Sequence, residues 1–197
     1  MMNSYVKTAL IFAAFLCISV LLGAGFAYGY QFFSCKAAAE DLGQLPAIKP
    51  ARYLVYGSSP GTVSCHFSLY DRNAREIASI ERSWNGGALY VDFATVHFGK
   101  TVLQLPLRLY SDYSEEGVQL KRYYMHRDIC TIYSIFGEDP EEIKKIHRLC
   151  TFAFSASKLP FYKKYINIRT VRLTSVPMGR ISAIYISTDG SIMILPD

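Results

Sequence analysis

Thr62-Val63-Ser64-Cys65-His66-Phe67-Ser68-Leu69 is the stretch whose reading decides the fold. Val63, Cys65, Phe67 and Leu69 fall on one side of a period-two repeat, and Thr62, Ser64, His66 and Ser68 on the other. That alternation predicts a half-buried strand. Asp71-Arg72-Asn73-Ala74-Arg75 then reads as a turn and Glu76 to Trp84 as the returning strand of a hairpin. Asn85-Gly86-Gly87 is a second turn signal, with another strand from Ala88 to Phe98.

The pattern continues outward. Thr101 to Tyr110 alternates with Leu103, Leu105, Leu107 and Leu109 inward. Pro106 lacks a ladder donor, which predicts an edge strand here. Gly117 to Phe136 reads as two strands, and Tyr165 to Val176 and Arg180 to Leu195 as more. Thr188-Asp189-Gly190-Ser191 marks a hairpin turn. Ile192-Met193-Ile194-Leu195 is apolar on both faces, as a central strand would be. One helix interrupts the series. Asp139 is its N-cap, Pro140 opens it and Glu142 completes a capping pair. Ile143, Ile146, Leu149, Cys150 and Ala153 make its apolar stripe, and Glu141 with Lys145 an i,i+4 pair. The expected fold is mainly β: an antiparallel β-sandwich or partly closed β-barrel of about seven to nine strands with one packed α-helix, preceded by an N-terminal transmembrane helix.

Towards the N-terminus the composition changes. From Thr8 to Cys35 no charged residue occurs, in a chain whose overall charged content is 19%. A membrane-spanning helix takes about 20 apolar residues, so this stretch is long enough. Lys7 and Lys36 bracket it, and Tyr28, Tyr30, Phe32 and Phe33 lie near its far end, where an interfacial belt sits. A signal anchor is the preferred reading. A cleaved signal peptide, with Gly25 and Ala27 near the cut, comes next. A lipoprotein signal ending at Cys35 is third, against the bulky Phe32 and Phe33. The expected organisation is an anchor over 1–35, a linker over 36–50 in which Lys36 to Leu42 can make one or two helical turns before Gly43, Pro46 and Pro50 stop them, and one β-rich domain over 51–197. A short N-terminus before a first apolar segment is the usual export arrangement. The domain is therefore expected outside the cytoplasm, and the membrane is a partner through residues 8–33.

Charge narrows the function classes. The net charge of +5 comes from basic residues interleaved with acids, which argues against a nucleic-acid binder. Two stretches nonetheless mix basic and aromatic residues. Lys121-Arg122-Tyr123-Tyr124-Met125-His126-Arg127 is one, and Lys158-Leu159-Pro160-Phe161-Tyr162-Lys163-Lys164-Tyr165 the other. Lys121, Arg122, Tyr123, Tyr124, Arg127, Phe161, Tyr162, Lys163 and Lys164 are the candidate binding residues, suited to anionic polymers or lipid headgroups. Ordinary outward strand and loop residues would show the same mixture.

Catalytic patterns are weak. Gly57-Ser58-Ser59-Pro60-Gly61 fits G-x-S-x-G, which works in hydrolases when a strand-to-helix turn strains the serine beside an oxyanion hole. Here Pro60 and a following strand remove that context. His126-Arg127-Asp128 resembles a phosphotransferase catalytic loop, but Tyr133 stands where that loop needs asparagine. His66, His97, His126 and His147 lack a second ligand at metal spacing, so no metal and no cofactor is expected. Of the five cysteines, Cys130 and Cys150 are the expected disulfide pair of an exported domain, and Cys65 faces the core. The leading expectation is a membrane-anchored or exported binding or scaffold module of the cell envelope, with a protein or envelope polymer as partner. A carrier of a lipid or small apolar ligand, with Phe67, Phe93 and Leu105 lining a cavity, is the alternative. A serine hydrolase built on Ser59 ranks last.

Overall fold

A computed structural model describes residues 4–59, 61–134, 139–156, 164–175 and 179–197. Helix α1 runs unbroken over Ser4–Leu42. Eight strands follow with one helical turn among them: β1 (Ile48–Ser59), β2 (Thr62–Tyr70), β3 (Glu76–Asn85), β4 (Leu89–Phe98), β5 (Thr101–Ser111), β6 (Ser114–Gln119), the turn α2 (Lys121–Tyr124), β7 (Met125–His126) and β8 (Ile129–Cys130). Helix α3 (Pro140–Ala156), β9 (Ile166–Arg172), β10 (Ile181–Ile186) and β11 (Ile192–Pro196) complete the described elements. The protein is mainly β, with antiparallel sheets, a packed helix and an apolar N-terminal helix.

One sheet has the order β11-β10-β1-β2-β3 and another β6-β5-β4-β9, while β7 and β8 form a small hairpin. The expected β2–β3 hairpin forms, with Phe67 opposite Ile80 and His66 opposite Glu81. Its turn is held by Asp71, whose Oδ1 accepts from the amides of Asn73 and Arg75, both at 2.8 Å. Val63, Cys65, Phe67 and Leu69 are fully buried, as their alternation requires. They join one continuous core with Leu89, Val91 and Phe93 of β4, Leu103 and Leu105 of β5, and Ile146 and Leu149 of α3.

Two strand positions differ from the sequence reading. β5 is not an edge strand, since β4 and β6 flank it. Pro106 is accommodated because β6 pairs with β5 only from Arg108 onward, and the β4–β5 register shifts between Asp92 and Phe93, opposite Arg108 and Pro106. A bulge is one of the few places where a sheet tolerates proline. β11 is an edge strand, and its outward Met193 and Leu195 are 44% and 42% exposed. Its two-faced apolarity therefore does not reflect a central position.

Within the expected linker, Lys36 to Leu42 are helical and Gly43 stops them, as read from sequence, but these turns belong to α1 and are not a separate piece. Lys36 to Leu42 are the last turns of α1, and β1 begins at Ile48. Cys35, Ala38 and Ala39 are buried, and Phe32 and Leu42 pack on the core. The small side chains let the helix approach the sheet closely. Gly43, at φ +64°, ends the helix as the left-handed residue after its last turn, and its amide donates to Ala39 O at 3.0 Å. Thr101 Oγ1 at the start of β5 lies 2.6 Å from both Ala39 O and Gly43 O, and so ties the helix end to the sheet.

From Ile11 to Ala27 the same helix is bare. Ile11, Phe12, Phe15, Leu21 and Phe26 are each about 70% exposed or more. It is one helix long and apolar enough to cross a membrane. A helix apolar on every face has no stable place in water.

Candidate functional site

The site is built where α1 meets α3. The two helices run antiparallel. Lys145 Nζ of α3 lies 3.1 Å from Asp41 Oδ2, Cys35 Sγ lies 3.6 Å from Arg148 O, and Gln31 Nε2 lies 3.3 Å from Ser155 Oγ. The C-terminal turn of α3 therefore sits beside the point where α1 leaves the domain. Asp139 caps the other end, with Oδ1 accepting from Glu141 N at 3.1 Å. The expected Glu141–Lys145 pair is replaced: Glu141 pairs with Lys144 at 2.8 Å, which holds the Glu141 carboxyl below its usual range, and Lys145 reaches Asp41.

An aromatic cluster locks this corner. Phe32 of α1 lies 5.6 Å from Phe98, 6.2 Å from Phe152 and 4.9 Å from Tyr165, ring centre to ring centre. Beside it, a groove of about 280 Å³ opens between the helices, lined by Tyr30, Gln31, Ser34 and Cys35 of α1 and by His147, Arg148 and Thr151 of α3. Arg148 is exposed, with Nη1 3.5 Å from Ser34 Oγ.

Both basic-aromatic stretches reach this end of α3. Lys121 Nζ lies 4.3 Å from the centre of the Phe154 ring. Lys164 is exposed, 6.0 Å from the ring of Tyr165, which belongs to the cluster around Phe32. Phe161, Tyr162 and Lys163 lie outside the described residues. The first stretch is not a uniform surface. Arg122 is exposed and donates to Tyr123 Oη at 2.9 Å, while Tyr123 is half-buried. Arg127 sits at the β7–β8 turn with φ +49°. Tyr124 is fully buried and donates to Pro106 O at 2.6 Å, so it is a core residue and not a binding one. Its aromatic neighbours in sequence gave no sign of that.

Cys130 and Cys150 meet in the core as free thiols in hydrogen-bonding contact. Burial pushes the Cys150 thiol well above its ordinary pKa, and pushes Cys65 up to about 12. Both are unreactive thiols at neutral pH.

Elsewhere the catalytic candidates do not converge. Ser59 is exposed, its Oγ 2.8 Å from Thr62 Oγ1, and strand β2 follows where a nucleophile elbow needs a helix. His66 lies on the outer face of β2, with Nε2 3.1 Å from Ser68 Oγ and 3.3 Å from Ser79 Oγ. Its Nδ1 is 3.9 Å from Glu81 Oε2, too far for a hydrogen bond. This serine-histidine-carboxylate order was not foreseen from sequence, since Ser79 and Glu81 arrive from the neighbouring strand. It lies along a paired ladder whose amides are engaged by the sheet and offer no oxyanion hole. His126 donates from Nε2 to Tyr123 O at 3.0 Å. Among the described residues no cluster of His, Cys, Asp or Glu could hold a metal ion. Phe67, Phe93 and Leu105 are fully buried within the continuous core, and line none of the four grooves described.

Comparisons with protein-family models, with curated proteins and with solved structures give no match.

Proposed function

We propose that the chain is a single-pass membrane protein whose β-rich domain is a binding or scaffold module of the cell envelope, held against the bilayer on the side away from the cytoplasm. The observation that carries this reading is the continuity of α1: bare and apolar from Ile11 to Ala27, buried in the domain core at Cys35, Ala38 and Ala39. A helix without a break transmits its orientation to what it is packed against, so the domain has one posture at the membrane. The 21 residues from Thr8 to Tyr28 span ~31 Å at the helical rise, close to the ~30 Å hydrocarbon thickness. The two larger sheets are read as the layers of a sandwich, because inward residues of both enter one core. Binding is favoured over catalysis because Ser59, His66 and His126 stand apart, and Lys121 and Lys164, one from each basic-aromatic stretch, lie against Phe154 and Tyr165 at the end of α3.

The test uses side-specific labelling. Ser83 is exposed on the outer face of β3. A Ser83→Cys chain in intact cells should react with a membrane-impermeant maleimide. Reaction only after the membrane is permeabilised would overturn the orientation, and recovery of the chain in the soluble fraction would overturn the anchor.

A further inference from the structure

We propose that the α1–α3 groove is a binding site for the phosphate-bearing headgroup of an anionic glycerophospholipid in the leaflet next to the domain. The inference rests on α1 crossing the bilayer.

Depth is the first argument. Tyr30 to Ser34 lie two to six residues past Tyr28, which is ~3–9 Å along the helix axis. The headgroup layer beyond the hydrocarbon is ~5–7 Å thick on each side. The groove therefore opens at the level where lipid phosphates sit.

Charge is the second. Three acids of the helix pair lie at its far end beside cations, Asp41 by Lys145 at 3.1 Å, Glu141 by Lys144 at 2.8 Å and Glu40 by Lys36 at 3.8 Å, and Glu142 in the first turn of α3 lies at that same end. Among the described residues no carboxylate lines the groove. Its cation is the exposed Arg148, whose guanidinium can present two parallel donors to a phosphate, with the imidazole of His147 beside it. Lys121 and Lys164, resting on Phe154 and Tyr165, extend the positive end of the helix pair around the same turn of α3.

Chemistry is the third. Thr151 and Ser34 add hydroxyls, Gln31 an amide and Tyr30 an amphipathic ring to the lining. This is the donor set that suits phosphate and glycerol oxygens above an apolar anchor.

The experiment reconstitutes the full chain in nanodiscs of phosphatidylcholine, with and without phosphatidylglycerol, and reads retained lipid by native mass spectrometry. Phosphatidylglycerol should be retained over phosphatidylcholine by about tenfold. Arg148→Glu should abolish that preference and Arg148→Lys keep part of it. Lys144→Glu makes the same charge change at the far end of α3 and should leave it intact. Equal retention of both lipids, or a preference that survives Arg148→Glu, would overturn the site. So would equal losses in the Arg148→Glu and Lys144→Glu chains. Displacement of the lipid by inorganic phosphate would replace the lipid with a soluble anion. Co-elution with the nanodisc is read first. A chain that inserts without lipid preference sinks only the groove, and a chain that does not insert sinks the anchor as well.

Discussion

Lys145 of α3 closes an ion pair with Asp41 in the last turn of α1, Nζ to Oδ2 at 3.1 Å. The pair fixes which ends of the two helices meet. It is not what holds them, because both side chains are partly exposed and such pairs contribute under about 1 kcal/mol. The end of α1 is held instead by burial in the domain, with Ala38 and Ala39 at 3% and 0% exposure.

Substitution at Ala39 separates these two contributions. Ala39→Leu overfills the seam and should cost about 1–3 kcal/mol of domain stability. Asp41→Asn should cost under about 1 kcal/mol. Urea unfolding of the two chains in the same detergent gives the comparison, and equal midpoints would contradict the packing argument.

Thr101 is the clasp on the end of α1. Its hydroxyl lies 2.6 Å from Ala39 O and Gly43 O. Thr101→Val keeps the shape and removes the donor, leaving a helix-end carbonyl without its partner at a cost of about 1–3 kcal/mol. Hydrogen exchange should rise at the Gly43 amide and in the last turn of α1, with the β2–β3 hairpin unchanged.

Asp92 ties the β9 edge to its sheet. Buried to 3% exposure, it accepts from Arg108 Nε at 2.7 Å, Tyr110 Oη at 3.1 Å and Thr170 Oγ1 at 2.6 Å. Asp92→Ala strands these donors and should destabilise the domain by about 2–4 kcal/mol. The loss should appear first as faster exchange of the β9 amides.

The cysteines give a reactivity pattern. Burial favours the neutral thiol, raising Cys65 to about 12 and Cys150 well above its usual value. At pH 8 the folded domain should resist alkylation at Cys65, Cys130 and Cys150, and the unfolded chain should react at all three. In an oxidising compartment Cys130 and Cys150 are the pair expected to close, read as the loss of two hydrogens in the intact mass and a linked peptide from α3 and β8. A linked peptide involving Cys65 would contradict the core contacts.

How much of this was legible depends on how local the cause is. The β2–β3 hairpin is set by period two and by the turn at Asp71, both contained in the sequence window that shows them. The start of α3 is equally local, since Asp139 and Pro140 act within one turn. What escaped depends on partners distant in sequence. Pro106 looks like an edge marker until β6 is seen to pair only the far half of β5. Tyr124 looks like a surface ring until Pro106 O is seen to accept its hydroxyl. Lys36 to Leu42 reads as one or two helical turns within a linker, separate from the anchor, because the uncharged run ends at Cys35. Yet Phe32, Cys35, Ala39 and Leu42 carry an apolar stripe at helical spacing straight through that boundary. The exposed and domain-facing parts of one helix differ in composition, and composition alone divides what the backbone joins. The groove between α1 and α3 was out of reach for the same reason, since its two walls are more than a hundred residues apart.

The most direct measurement is the intact, non-reduced mass of the protein extracted from its own membranes. The account requires a mass that includes residues 8–28, because the helix that enters the bilayer is the helix that completes the domain core. A mass that begins at or after Tyr28, recovered from the soluble fraction, would contradict it.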